Sequence, residues 1–154
     1  MLNVDRDLQV HFVGIGGIGM SGIAHILVSL GHRVTGSDLS DSGNVIKLRS
    51  RGVEVFIGHK EENAHGSTLV VYSSAVPSDN PELAYAKKNK IPMMKRAEML
   101  AELMRLKKGV AIAGTHGKTT TTSMLATILE ESQFDPTYVI GGVVSNLKGH
   151  SKMG

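Results

Sequence analysis

Two short glycine loops hold the side chains of this chain best suited to chemistry. The first, Gly14, Ile15, Gly16, Gly17, Ile18, Gly19, has the spacing G-x-G-x-x-G. Glycines so placed let the backbone turn tightly and approach a diphosphate, whose charge meets the free N–H groups and positive dipole end of the helix that follows. Asp38 stands 19 residues beyond Gly19, where a carboxylate can accept hydrogen bonds from a ribose. NAD, FAD and UDP-sugars can all use such a loop, so the ligand stays open at this point.

The second loop is Gly114, Thr115, His116, Gly117, Lys118, Thr119, Thr120. Its chemistry is that of a P-loop: Lys118 neutralises β- and γ-phosphates, the Thr119 hydroxyl ligates Mg²⁺, and backbone N–H groups cradle the oxygens. The strict motif G-x-x-x-x-G-K-[ST] is not met, because Ile112 occupies the position of its first glycine. A shorter G-x-x-G-K-T remains. Two phosphate loops in series imply two phosphorylated ligands. A dehydrogenase uses only the first and a simple NTPase only the second; an enzyme that binds a nucleotide-activated substrate and drives its chemistry with ATP uses both.

The elements that must position these loops follow from the hydrophobic pattern. Strands are expected at 8–15, 33–36, 53–57, 68–72 and 91–94, alternating with helices at 19–30, 42–51, 80–90 and 97–106. Gly31 and Gly52 stand as helix stops, and Asn80 with Pro81 as a helix start. Such alternation gives a parallel sheet covered on both faces, a Rossmann-like α/β class. After Lys107, Lys108 and Gly109 the pattern restarts with a strand at 110–113, the second loop, a helix at 118–132 and a strand at 138–140. Residues 1–106 thus read as one finished unit and 107–154 as the opening of a P-loop α/β ATPase domain, incomplete in this chain. Ligand contacts at the carboxyl edge of the sheet are expected from His59 after the third strand and from Ser73 and Ser74 after the fourth.

Composition narrows the function classes. The 154 residues include 18 glycines, about 12% against a usual ~7%. No cysteine is present, which excludes disulfide scaffolds, thiolate metal sites and cysteine nucleophiles. The formal charge is +3 with only 4% aromatics, which argues against a nucleic-acid surface. The apolar stretch from Val10 to Leu30 contains five glycines and His25, which argues against a membrane span or a signal segment. A reducing cytoplasm is the expected compartment.

Four separated segments carry a family likeness: HFVGIGGIGMSGIA at 11–24, SSAV at 73–76, RAEMLAELMR at 96–105 and AGTHGKTTTTSML at 113–125. Together they resemble the Mur ligases of bacterial peptidoglycan synthesis, along essentially the whole chain. The resemblance implies a three-domain, ATP- and Mg²⁺-dependent ligase. Its N-terminal Rossmann-like domain would hold UDP-N-acetylmuramate, with Gly16, Gly17 and Gly19 on the diphosphate, and its central domain would bind ATP. The details of both loops are most like the members that join L-alanine to the lactyl carboxylate through an acyl phosphate. The family's carboxylate Mg²⁺ ligand and amino-acid pocket would lie beyond Gly154, leaving this chain inactive by itself. A Rossmann NAD-dependent oxidoreductase and a non-catalytic UDP-sugar module are the alternatives.

Overall fold

The structure, a computed structural model, describes residues 8–142, 147 and 149–154. Five parallel strands form the main sheet in the order β3-β2-β1-β4-β5: β1 Gln9–Val13, β2 Arg33–Asp38, β3 Glu54–Ile57, β4 Leu69–Tyr72 and β5 Met93–Lys95. Helices α1 Ile18–Ser29, α2 Gly43–Arg49, α3 Pro81–Lys88 and α4 Arg96–Met104 connect or follow them, with a 3-10 turn at Glu61–Ala64. This is the Rossmann-like arrangement that the strand and helix alternation predicts.

The chain steps outward from β1 to β2 and β3, then returns to place β4 on the other side of β1. Right-handed crossovers therefore put α1 and α2 on one face and α3 on the opposite one. Side chains of β1 alternate accordingly. Val10 and Phe12 enter the main core with Ile23 and Leu27 of α1, Val45 of α2 and Met99 of α4. Val13 joins a much smaller cluster with Val70, Leu83 and Ala86, and His11, also on that face, is fully buried against Glu82 of α3. Aliphatic residues fill one side of the sheet; the other is partly polar.

Local chemistry sets the element ends. Asn80 Oδ1 accepts the N–H groups of Glu82 and Leu83, with Pro81 at the first helical position of α3. Gly36 of β2 answers a close approach: a Cβ there would lie 2.6 Å from Ile15 Cδ1 and 2.9 Å from the carbonyl oxygen of Phe12. Only glycine lets the loop after β1 fold back over β2.

Beyond Met104 the structure departs from the sequence reading. Helix α5, Lys118–Glu131, forms as expected, but residues 110–113 are not a strand, and Val110 is 72% exposed. Among the described residues no strand lies beside them, and a ladder needs a neighbour. The strand expected at 138–140 forms at its first two residues, with a partner that was not expected. β6, Tyr138–Val139, pairs antiparallel with β7, Ser151–Lys152, an element the sequence did not signal.

This hairpin rests on α1. A Cβ on Gly22 would lie 3.3 Å from both Ser151 Cβ and Val139 Cγ1. Ser21 Oγ meets His150 Nε2 at 3.1 Å, and His25 Nδ1 meets Ser151 Oγ at 3.1 Å. Lys152 donates to Glu130 and Asp135, which ties the hairpin to the end of α5 and the loop after it. No described helix is long and apolar enough to cross a membrane.

Candidate functional site

The first glycine loop leaves β1 at the point where the strand order reverses, the usual ligand crevice of such sheets. Gly14 takes φ +82°, a conformation that favours glycine. Its N–H and that of Ile15 both donate to the Ser37 carbonyl, at 2.9 and 3.0 Å. The Gly16 N–H donates to Asp38 Oδ2 at 2.8 Å, and Asn44 Nδ2 donates to the Gly16 carbonyl at 2.8 Å. A Cβ on Gly16 would stand 2.9 Å from Asp38 Oδ2 and from Ser42 Oγ. The loop is held in place by β2 and α2 before any ligand arrives.

That bonding separates the loop's glycines from its free donors. Gly14 and Gly16 spend their N–H groups on shaping the loop, and Gly17, the N-cap of α1, points its own at Gly14 O at 3.4 Å. The first helical bond from the loop is Ser21 N–H to Gly17 O at 2.8 Å. Among the described residues the N–H groups of Ile18, Gly19 and Met20 have no protein acceptor, as expected for the first turn of a helix. They lie at its positive end. Arg96, at the start of α4, crosses the same turn: its Nη1 is 3.0 Å from where a Gly19 Cβ would be. A guanidinium and three open amides together make an anion cradle.

Below the carboxyl edge lies a buried polar network. Glu82 is fully buried; its Oε2 accepts from Ser37 Oγ at 2.6 Å and its Oε1 from Asn63 Nδ2 at 2.7 Å. His11 Nε2 stands 3.6 Å from Oε2, too far for a hydrogen bond. Burial pushes this carboxyl up, yet the contacts from His11, Ser37 and Asn63 outweigh it and hold Glu82 below its ordinary value. Glu82 is therefore ionised at neutral pH.

That charge fixes the ring of His59. Its Nδ1 lies 3.0 Å from Ser37 Oγ and 3.3 Å from Glu82 Oε2. Ser37 has given its only hydrogen to Glu82, so both neighbours of Nδ1 are acceptors and Nδ1 carries the hydrogen. In the neutral ring Nε2 is then an acceptor.

The second loop has the local form of a phosphate loop. Gly117 (φ +77°) caps α5, Thr121 N–H makes the first bond of the helix to Gly117 O, and among the described residues Lys118, Thr119 and Thr120 keep unpaired N–H groups. Lys118 Nζ curls back onto the carbonyls of Gly114 and Thr115. All seven residues from Gly114 to Thr120 are exposed. Free amides, an ammonium and the Thr119 hydroxyl are the donor set that triphosphate and Mg²⁺ require. His116 makes no side-chain hydrogen bond among the described residues.

The structure thus brings Gly14, Gly16, Gly17, Gly19, Asp38 and Ser73 to one sheet edge; Ser73 Cβ is 3.9 Å from where a Gly14 Cβ would be. His59 joins them through Ser37, while Ser74 is exposed in the same loop as Ser73. Asp38 proves to hold the loop: one oxygen takes the Gly16 N–H, the other the Ser40 N–H at 3.2 Å. Ser73 Oγ accepts the Ala75 N–H at 3.3 Å, as a turn residue does. The sequence reading missed Arg96, Asn44 and Glu82. None carries a local signal, because each acts across 19 or more residues of sequence.

Three comparisons bear on this site. The sequence model described as the Mur ligase family, catalytic domain, matches residues 9–108. A UDP-N-acetylmuramate--L-alanine ligase of Rhodopseudomonas palustris (strain BisA53) is 57% identical over 145 residues, 94% of this chain and 31% of that protein. The chain thus spans about a third of the length of the curated relatives it matches. Among solved structures, the UDP-N-acetylmuramate-alanine ligase of Thermotoga maritima superposes with TM-score 0.90 at 36% identity, over 96% of this chain and 35% of that one. The UDP-N-acetylmuramate:L-alanyl-gamma-D-glutamyl-meso-diaminopimelate ligase of Neisseria meningitides gives TM-score 0.87 at 28% identity, over 95% of this chain and 46% of that one.

Proposed function

The chain belongs to the Mur ligase family, and from that premise we propose that residues 1–106 bind UDP-N-acetylmuramate while 107–154 open the ATP-binding domain of an L-alanine-adding ligase. The observation that carries the reading is the anion cradle: three unpaired N–H groups at Ile18, Gly19 and Met20 beneath the Arg96 guanidinium. It fits a diphosphate. The glycines around it set its shape, and Asp38 keeps that shape through the Gly16 N–H. His59, with its hydrogen held on Nδ1, offers Nε2 as an acceptor to a hydroxyl or imide N–H of the nucleoside, and Ser73 and Ser74 line the neighbouring loop.

In the whole protein the lactyl carboxylate is activated as an acyl phosphate, and the amine of L-alanine displaces phosphate to leave an amide. Mg·ATP supplies the phosphoryl group. A carboxylate resists attack by amines, and this activation provides the leaving group. On this chain Gly114, Thr115, His116 and Gly117 shape the triphosphate loop. The ammonium of Lys118 and the N–H groups of Thr119 and Thr120 stabilise charge on the moving phosphoryl, with the Thr119 hydroxyl as a Mg²⁺ ligand.

Calorimetric titration of the 154-residue chain tests the first half. UDP-N-acetylmuramate is expected to bind, and Arg96→Ala to weaken it about tenfold, the loss of one charge-assisted contact of about 1.5 kcal/mol. Binding of NADH in its place would move the reading to an oxidoreductase.

A further inference from the structure

A cleft of about 310 Å³ opens where α1, α2 and the β6–β7 hairpin meet, beginning at Ser21, four residues along the chain from Gly17. Four basic groups line it: Lys47 of α2, Arg51 just after it, His25 of α1 and His150 of the hairpin. No carboxylate is among the described residues that line it. Ser21 and Ser151 bond His150 and His25 in the wall, and Asn44, whose amide holds the Gly16 carbonyl, borders the cleft on the side of the first loop.

Arg51 Nη1 donates to His25 Nε2, which leaves the hydrogen of that ring on Nδ1, facing Ser151 Oγ. The ring is thus neutral against a fixed cation. Burial, then the charges of Arg51 and His150, hold His25 below its ordinary value. Burial, then Lys47, does the same to His150. Like charges gathered round a cleft repel, and nothing within its lining offsets them. An anion in the cleft would. Lys47 has no acceptor among the described residues, and the Arg51 fork keeps N–H groups beyond the one given to His25.

We propose that this cleft binds a phosphate-class dianion, clamped between Lys47 and Arg51 on one side and the hairpin on the other. Two fixed cations match the two charges of the ligand. A metal cation is repelled by the same groups, and an apolar ligand leaves them unpaired. An anion held between them draws the hairpin onto α1.

The test is an amide NMR titration of the 154-residue chain with inorganic phosphate, with chloride at equal ionic strength as the control. Saturable shifts are expected at His25, Arg51 and Ser151 with phosphate alone. The double substitution Lys47→Gln and Arg51→Gln, both at exposed positions, is expected to weaken them at least tenfold and leave UDP-N-acetylmuramate affinity unchanged. A parallel titration with glycerol phosphate separates free phosphate from a phosphoryl group on a larger molecule; saturation by either supports the site. Equal shifts with chloride, shifts confined to Ile18–Met20 or to the loop at 114–120, or unchanged phosphate affinity in the double variant would each overturn it.

Discussion

A buried carboxylate is the most consequential single residue outside the glycine loops. Glu82 orders Ser37, Asn63 and His59 at once, so its removal strands several polar groups in the interior. Glu82→Ala is expected to cost about 3 kcal/mol in urea unfolding at pH 7, the low end for breaking a buried pair. Because the folded-state value of this carboxyl is depressed, its contribution is complete above the ordinary carboxylate range and fades as pH falls through the folded value. Glu82→Gln should therefore lose stability at pH 7 and show a flatter decline between pH 5 and 3 than the parent; an unchanged acid limb would refute the assignment. At the second loop, Lys118→Ala is expected to reduce ATP affinity at least tenfold by calorimetry, and Thr119→Ala to blunt the Mg²⁺ dependence. An equal affinity for ATP in Lys118→Ala would remove that residue from the site.

At the level of elements, those with strong local signals were legible. The aliphatic strands, the Gly31 and Gly52 stops and the Asn80-Pro81 start all fall within about two residues of their expected places, because each is decided by neighbours in sequence. The hairpin was not. β6 lies where a strand was expected, at 138–140, but β7 has only two residues with no alternation to read, and the pair owes its place to docking on α1. Nor could spacing tell that residues 110–113 lack a neighbour to pair with. At the site the glycines and Asp38 stood out, but the division of labour among them did not, since it depends on where Ser37 O and Asp38 Oδ2 lie. Gly36 has a wholly tertiary reason, and Gly36→Ala is expected to destabilise by about 1–3 kcal/mol through overpacking, read by thermal or urea unfolding. The hairpin has its own pH dependence. His25 and His150 sit below their ordinary values when it is docked; docking is full above pH ~6.5 and weakens as pH falls below that, since the released rings bind protons more readily. Amide exchange at Ser151 and Lys152, corrected for intrinsic rates, should be faster at pH 5 than at pH 7.5.

For the molecule as a whole, packing is uneven along the chain. The main core draws on β1 to β4, α1, α2 and α4, whereas α5 buries only Ala126 and exposes Met124 and Ile128 by 61% and 59%. Amide exchange is expected to grade accordingly, with α1 and β1 opening only on global unfolding and α5 by small local fluctuations; equal protection of α1 and α5 would contradict this. The return of the sheet order at β1 has a further consequence, one of time. β1 is the central strand, and while its partner β2 follows 24 residues later, its other partner does not: Val10 pairs with Leu69. At a synthesis rate of about 5–20 residues per second, the interval between those two residues leaving the ribosome is about 3–12 s. For that interval one edge of the central strand stands open on a nascent chain, and the sheet cannot close until β4 has been made.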